Sequence, residues 1–218
     1  QSLGMKVTGK KAEDGSMVPG VITVHAKGDA DITLFGEAAS DATSIEAENT
    51  AITNHGKISK GSYKARKALH VYNANDSTIT GGTFTGAETT LTNEGTVESG
   101  TYTAETGAMT VTNSGKLSAG AYNAKAGTMG ITNRKTIENA AFTAGGALTY
   151  DGNADSTVTE TTMTGASVDI TNAGTLTNGS YTAGDAMTVT NSGKLSSGTY
   201  TAKGTMGITN EGTVENGS

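Results

Sequence analysis

Residues 109–118 read MTVTNSGKLS, and residues 187–196 read the same ten letters again. The string holds no Cys, His or carboxylate, so its duplication points to a copied structural unit rather than a copied reactive site. Within it, Met109, Val111 and Asn113 share one face of an extended strand, and Thr110 and Thr112 share the other. A helical reading fails: Thr, Gly and Asn are poor helix formers, and no apolar stripe recurs at three- and four-residue spacing.

The apolar-Thr-Asn motif marks a period that runs through most of the chain. Its Asn returns as Asn54, Asn93, Asn113, Asn133, Asn172, Asn191 and Asn210, with looser matches at Asn73 and Asn153, always 19 or 20 residues apart. ITLFG at 32–36 extends the series one unit back, with Leu34 at the Asn position. After the Asn comes a Gly two places on, as at Gly56, Gly95, Gly115, Gly174, Gly193 and Gly212, and then a short strand centred on one aliphatic residue, such as Leu117. A third strand carries one large side chain: Tyr63, Phe84, Tyr102, Tyr122, Phe142, Met163, Tyr181 and Tyr200.

A unit of three short strands cannot close a core alone, but it can wind once and stack on the next. The expected fold is therefore all-β: a single-stranded parallel β-helix (β-solenoid) of three strands per turn, right-handed by the general preference of parallel crossovers. At about 4.8 Å per turn, the nine Asn-marked turns make a rod on the order of 40 Å long. In this reading the nine Asn side chains form a hydrogen-bonded ladder, and each Asn tolerates a left-handed corner backbone. Tyr63, Phe84, Tyr102, Tyr122, Phe142, Tyr181 and Tyr200 form a stacked core column. A longer repeat overlies the short one: 91–120 returns at 170–198, and NANDSTIT (73–80) returns as GNADSTVT (152–159), which makes the copied block four turns. Residues 1–31, with the sole Pro, Pro19, lie outside the period and read as an irregular segment or cap. The repeats span 32–218 and stop partway through a unit, which suggests a piece of a longer, processed chain.

Composition narrows the chemistry. Apolar residues make up 34% and aromatics 5%, too few for an ordinary compact core, and Gly reaches 31. The net charge of -6 gives no basic footprint for nucleic acid or an anionic membrane, and no apolar run is long enough for a membrane-spanning helix. The absence of Cys removes thiolate metal sites and Cys nucleophiles, and it suits an exported bacterial protein. His25, His55 and His70 fall in different units without metal-ligand spacing, so no metal or other cofactor is expected.

Because parallel β-helices include polysaccharide lyases and hydrolases, carboxylate pairs need checking. Asp29 and Asp31 share a strand face, Asp151 and Asp155 flank a turn, and Asp76 and Asp155 are equivalent positions four turns apart. Glycosidic chemistry needs two carboxylates within about 5–10 Å in a cleft, and turns this uniform supply no long loops to build one. No catalytic residue is assigned. Lys57, Lys60, Lys64, Arg66 and Lys67 form a local basic run that the turns scatter over a solvated edge. The outward pairs Thr83/Thr85, Thr101/Thr103 and Thr199/Thr201, with Ser180/Thr182 similar, form a candidate binding face, interrupted at Ala121/Asn123 and Ala141/Thr143.

The units of the form ITN-x-G-x-[VLI]-x-x-G-x-Y resemble the repeats of large bacterial surface β-helices, the filamentous-haemagglutinin-like adhesins and autotransporter passenger domains. The resemblance covers 32–218 and lies in repeat length and Gly/Asn/Thr style. It implies export to the cell surface and a non-enzymatic structural or adhesive rod segment, whose partner is a host-cell or extracellular glycan or protein surface, or the chain itself end to end. Alternatives are a polysaccharide-processing β-helix enzyme, an ice-binding solenoid using its Thr arrays, and a self-assembling filament subunit.

Overall fold

The computed structural model describes residues 3–7, 10–11, 17–18 and 21–218. Among these no helix occurs, and the strands form three parallel sheets that coil around one core. Sheet 1 has eleven strands, from Leu3–Val7 and Ala30–Leu34 to Met206–Asn210. Sheet 2 has ten, from Glu37–Ala38 to Thr213–Glu215, and sheet 3 has ten, from Thr23–His25 to Thr199–Ala202. The chain visits sheets 1, 2 and 3 in turn. Met109–Asn113, for example, is followed by Lys116–Ser118 and Ala121–Ala124 before Met129–Asn133 pairs back beside it.

Each strand pairs with its equivalents one coil before and after, and the alternation decides which residues enter the core. Met109, Val111, Leu117, Tyr122 and Ala124 are buried, whereas Thr110 is exposed. Sheet 2 contributes one aliphatic side chain per coil, including Ile58, Ile79, Val97, Leu117, Ile137, Val158, Leu176 and Leu195, all buried. Each such side chain removed from water contributes about 1.5–3 kcal/mol, so a slim core suffices when every coil repeats it.

On sheet 3 the rings of Tyr63, Phe84, Tyr102, Tyr122 and Phe142 stack at centroid separations of 4.8, 4.7, 5.0 and 4.6 Å. Met163 fills the next position, and Tyr181 and Tyr200 resume the stack at 4.8 Å. The Gly two residues before a ring makes room for it: a Cβ on Gly179 would run into the Tyr181 ring and hydroxyl. Ala140 and Thr161 replace that Gly where the core residue is Phe142 or Met163, neither of which carries a hydroxyl.

The corners work differently from the sequence expectation. No ladder Asn has a left-handed backbone; among the described residues, the positive-φ non-Gly residues are Asp76 and, at the sheet 2 to sheet 3 corner, Ala119, Asn139, Glu160, Asn178, Ser197 and Asn216. Gly61, Gly82 and Gly100 of earlier coils, and Gly120 next to Ala119, take positive φ at that same corner. The Gly two places after the Asn has another role. A Cβ on Gly115 would collide with the Gly95 carbonyl of the coil below, so close stacking rather than φ requires it.

The solenoid also begins earlier than residue 32. Leu3–Val7 pairs in parallel with Ala30–Leu34, and Thr23–His25 with Ser44–Ala47, because the inward residues Ile22, Val24 and Ala30 already follow the core alternation. Within 1–31, Lys10–Lys11 and Met17–Val18 pair antiparallel, while Pro19 lies outside the described residues.

Candidate functional site

The Asn ladder runs along the inner end of sheet 1. Asn54, Asn73, Asn93 and Asn113 each donate from Nδ2 to the Oδ1 of the next Asn, at 2.8 Å in every case, ending on Asn133. The same Nδ2 groups also reach backbone carbonyls, as Asn113 does at Gly115 and Thr136. A second run joins Asn172 to Asn191 at 2.8 Å and Asn191 to Asn210 at 2.6 Å. Buried amides of this kind are stable only when paired, and stacking at a constant register pairs them.

Asn153 is not a rung. Gly152 stands in register with Asn133 and Asn172, and Asn153 lies one residue later in the corner, half-buried. The physical cause is the side chain of Tyr150, which points inward where the equivalent residue four coils earlier is Val71. Its hydroxyl, with that of Ser156, occupies the space a Cβ on Gly152 would need. Asn133 Nδ2 therefore has no Asn acceptor above it: it donates to the Lys135 and Thr157 carbonyls at 3.1 and 3.4 Å and to the Tyr150 hydroxyl at 3.5 Å, and Asn172 Oδ1 has no donor.

The predicted binding face is the outer surface of sheet 3. Thr83, Thr101, Ala121, Ala141, Thr162, Ser180 and Thr199 align in one column across seven coils. Beside it run Thr85, Thr103, Asn123, Thr143, Thr164, Thr182 and Thr201. Neither column holds a charged residue. Thr83, Thr101, Thr199 and Thr201 are exposed and Thr85 is half-buried, whereas Thr103, between Thr85 and Asn123, keeps only 7% of its surface. Thr162 and Thr164 belong to the same face and were not singled out from sequence, because Met163 between them replaces the ring that flags the other strands.

Charges lie on the other two faces, at the corners and on the first coils of sheet 3, at Glu46 and Lys64, and they pair along the rod. Lys57, Lys60, Arg66 and Lys67 of the basic run meet Glu37, Asp41, Glu46 and Glu48 of the preceding coil at 3.7, 2.9, 3.6 and 2.6 Å. Lys64 lies in register with Glu46. The Lys67 ammonium holds the Glu48 carboxyl below the usual carboxylate range, and Lys116 does the same to Glu138. In the copied decapeptide, Thr110 and Thr112 face outward on sheet 1 and Lys116 and Ser118 on sheet 2. Lys116 pairs with Glu138, and its copy Lys194 pairs with Glu215.

The remaining candidates are dispersed. His25 points outward from sheet 3 and His70 from sheet 1, while His55 stacks on exposed Phe35 at a corner, with ring centroids 5.0 Å apart. Asp29 accepts from Asn49 Nδ2 at 2.7 Å, Asp31 and Asp151 point outward from sheet 1, and Asp76 and Asp155 occupy equivalent corners four coils apart. Among the described residues no group of three His, Asp or Glu could hold a metal ion. Two surface grooves are corner furrows, one beside Asn49, Lys67, Glu88 and Thr106 and another beside Asp76, Glu94 and Lys116, and a third, apolar, is lined by Leu195, Tyr200, Met206, Ile208 and Val214 of the last coils. Comparison with known protein families, curated proteins and solved structures returns no match.

Proposed function

We propose that this chain is a structural and adhesive rod segment of a large bacterial cell-surface or secreted fibrous protein, acting without catalysis. The observation that carries this reading is the uniformity of the coils. From Thr23 onward no connection between successive strands exceeds five residues, so the surface consists of flat sheet faces and short corners rather than loops that wall a cleft. A ladder and a stack repeated at every coil suit a rigid spacer that holds its faces at fixed positions. The partner on this reading is a host-cell or extracellular glycan or protein surface.

Labelled protein applied to a glycan array, to mucin and to cultured epithelial cells tests it. Saturable binding to at least one of these supports adhesion, whereas a blank result with intact β circular dichroism reduces the segment to a stalk. Release of reducing or unsaturated sugar from a polysaccharide panel would replace the proposal with an enzymatic one.

A further inference from the structure

The sheet 3 face combines four properties that Thr content alone does not give. It is free of charge for seven consecutive coils, from Thr83 to Thr201, whereas sheet 1 carries Asp151 and Asp169 outward and sheet 2 carries Lys116, Glu138 and Lys194. Its strands pair without a bulge or register shift from coil to coil. The inward residues beneath it, rings at six of the seven coils and Met163 at the other, stay in one column, with neighbouring rings stacked at centroid separations of 4.6–5.0 Å, so the outward positions keep a fixed register over the core. Its threonines are β-branched, so their methyl and hydroxyl groups are held in few rotamers before any ligand arrives.

These properties define a two-dimensional lattice of side chains. Equivalent positions recur about every 4.8 Å along the rod, with Thr at four of seven coils in one column and six of seven in the other, and the two columns stand roughly 6.6 Å apart along each strand, twice the rise per residue. The two repeats are close to the oxygen repeats along the a and c axes on a prism face of hexagonal ice. A glycan-binding face would need aromatic platforms and carboxylate or guanidinium partners, and these columns have neither. Methyl groups between fixed hydroxyls instead suit water already ordered on the ice repeat, and the rigid face loses little entropy on docking.

We propose that the outer face of sheet 3, centred on Thr143, Thr162, Thr164 and Thr182, binds ice. The site rests on the coil register alone, so it stands or falls independently of whether the rod is displayed on a cell.

The intact chain is measured for thermal hysteresis and for partition into a growing ice hemisphere, beside Thr164→Tyr on this face and Thr171→Tyr on the outer face of sheet 1. The expected result is measurable hysteresis and enrichment in ice for the parent, a loss of about tenfold in Thr164→Tyr, and parent-like behaviour in Thr171→Tyr. Thr143→Lys provides a second disruption of the face if Thr164→Tyr does not keep its β circular dichroism. Absence of hysteresis and of ice partition in the parent overturns the proposal. So does equal behaviour of the sheet 3 and sheet 1 variants, which would leave the threonines as a β-favouring solvated surface.

Discussion

Gly152 stands in register directly between Asn133 and Asn172 and offers an amide to neither. The ladder is thus broken once, by Tyr150, and Asn172 Oδ1 is left buried without a donor. Four coils earlier the equivalent pair, Val71 and Asn73, keeps the ladder whole. The double variant Tyr150→Val/Gly152→Asn is therefore expected to close the gap and raise stability by about 1–2 kcal/mol, read as a higher urea midpoint. Gly152→Asn alone is expected to lower the midpoint, because its Cβ meets the Tyr150 hydroxyl.

Interrupting an intact run should cost more than trimming its end. Asn113→Ala removes a donor to Asn133 and an acceptor of Asn93 at a fully buried position, and is expected to destabilise by about 3 kcal/mol. Asn210→Ala, at an exposed rung, should lie within about 1 kcal/mol of the parent. Equal losses in urea titrations would show that the ladder is not a cooperative internal element.

The aromatic column sets an alkaline limit. Burial raises the phenols of Tyr63, Tyr102, Tyr122, Tyr150 and Tyr181 above their usual range and pushes Tyr200 up to about 12. An unfolded phenol ionises near 10, so the folded state binds protons that the unfolded state has released. Stability from these groups is complete below about pH 10 and is lost as pH climbs through 12. The expected outcome is loss of β circular dichroism together with a steep rise in phenolate absorbance in that interval. Independent ionisation near pH 10 with the sheets intact would contradict the burial of the column.

Much of this architecture is legible in the sequence because each inward column repeats one residue type. Asn at one position, an aliphatic residue at the next and a ring at the third carry the period, and eight of the nine marked Asn positions fall on the ladder. Asn153 misleads because the motif looks past Tyr150-Asp151-Gly152, where a ring has moved into sheet 1 and shifted the Asn into the corner. The left-handed corner was only partly legible: Asn139, Asn178 and Asn216 suit that conformation, whereas Ala119, Glu160 and Ser197 at equivalent corners have no preference for it. The sheet 3 face was half visible, since rings flag Thr-Tyr-Thr and Thr-Phe-Thr strands but Met163 hides Thr162 and Thr164. Ion pairs between coils were missed for a similar reason. Their partners lie about twenty residues apart and become neighbours only once the register is known.

The most direct test of the solenoid facing compares adjacent residues of the opening decapeptide. Val111 and Thr110 follow one another on one strand, yet Val111 is buried and Thr110 exposed. Val111→Asp places an unpaired carboxylate in the core and is expected to cost more than about 4 kcal/mol, whereas Thr110→Asp should cost less than about 1 kcal/mol. Urea unfolding of the two variants, followed by circular dichroism, should give a much lower midpoint for Val111→Asp and a near-parent midpoint for Thr110→Asp. Equal midpoints, or the reverse order, would contradict the inward and outward faces on which the ladder, the aromatic column and the threonine lattice all depend.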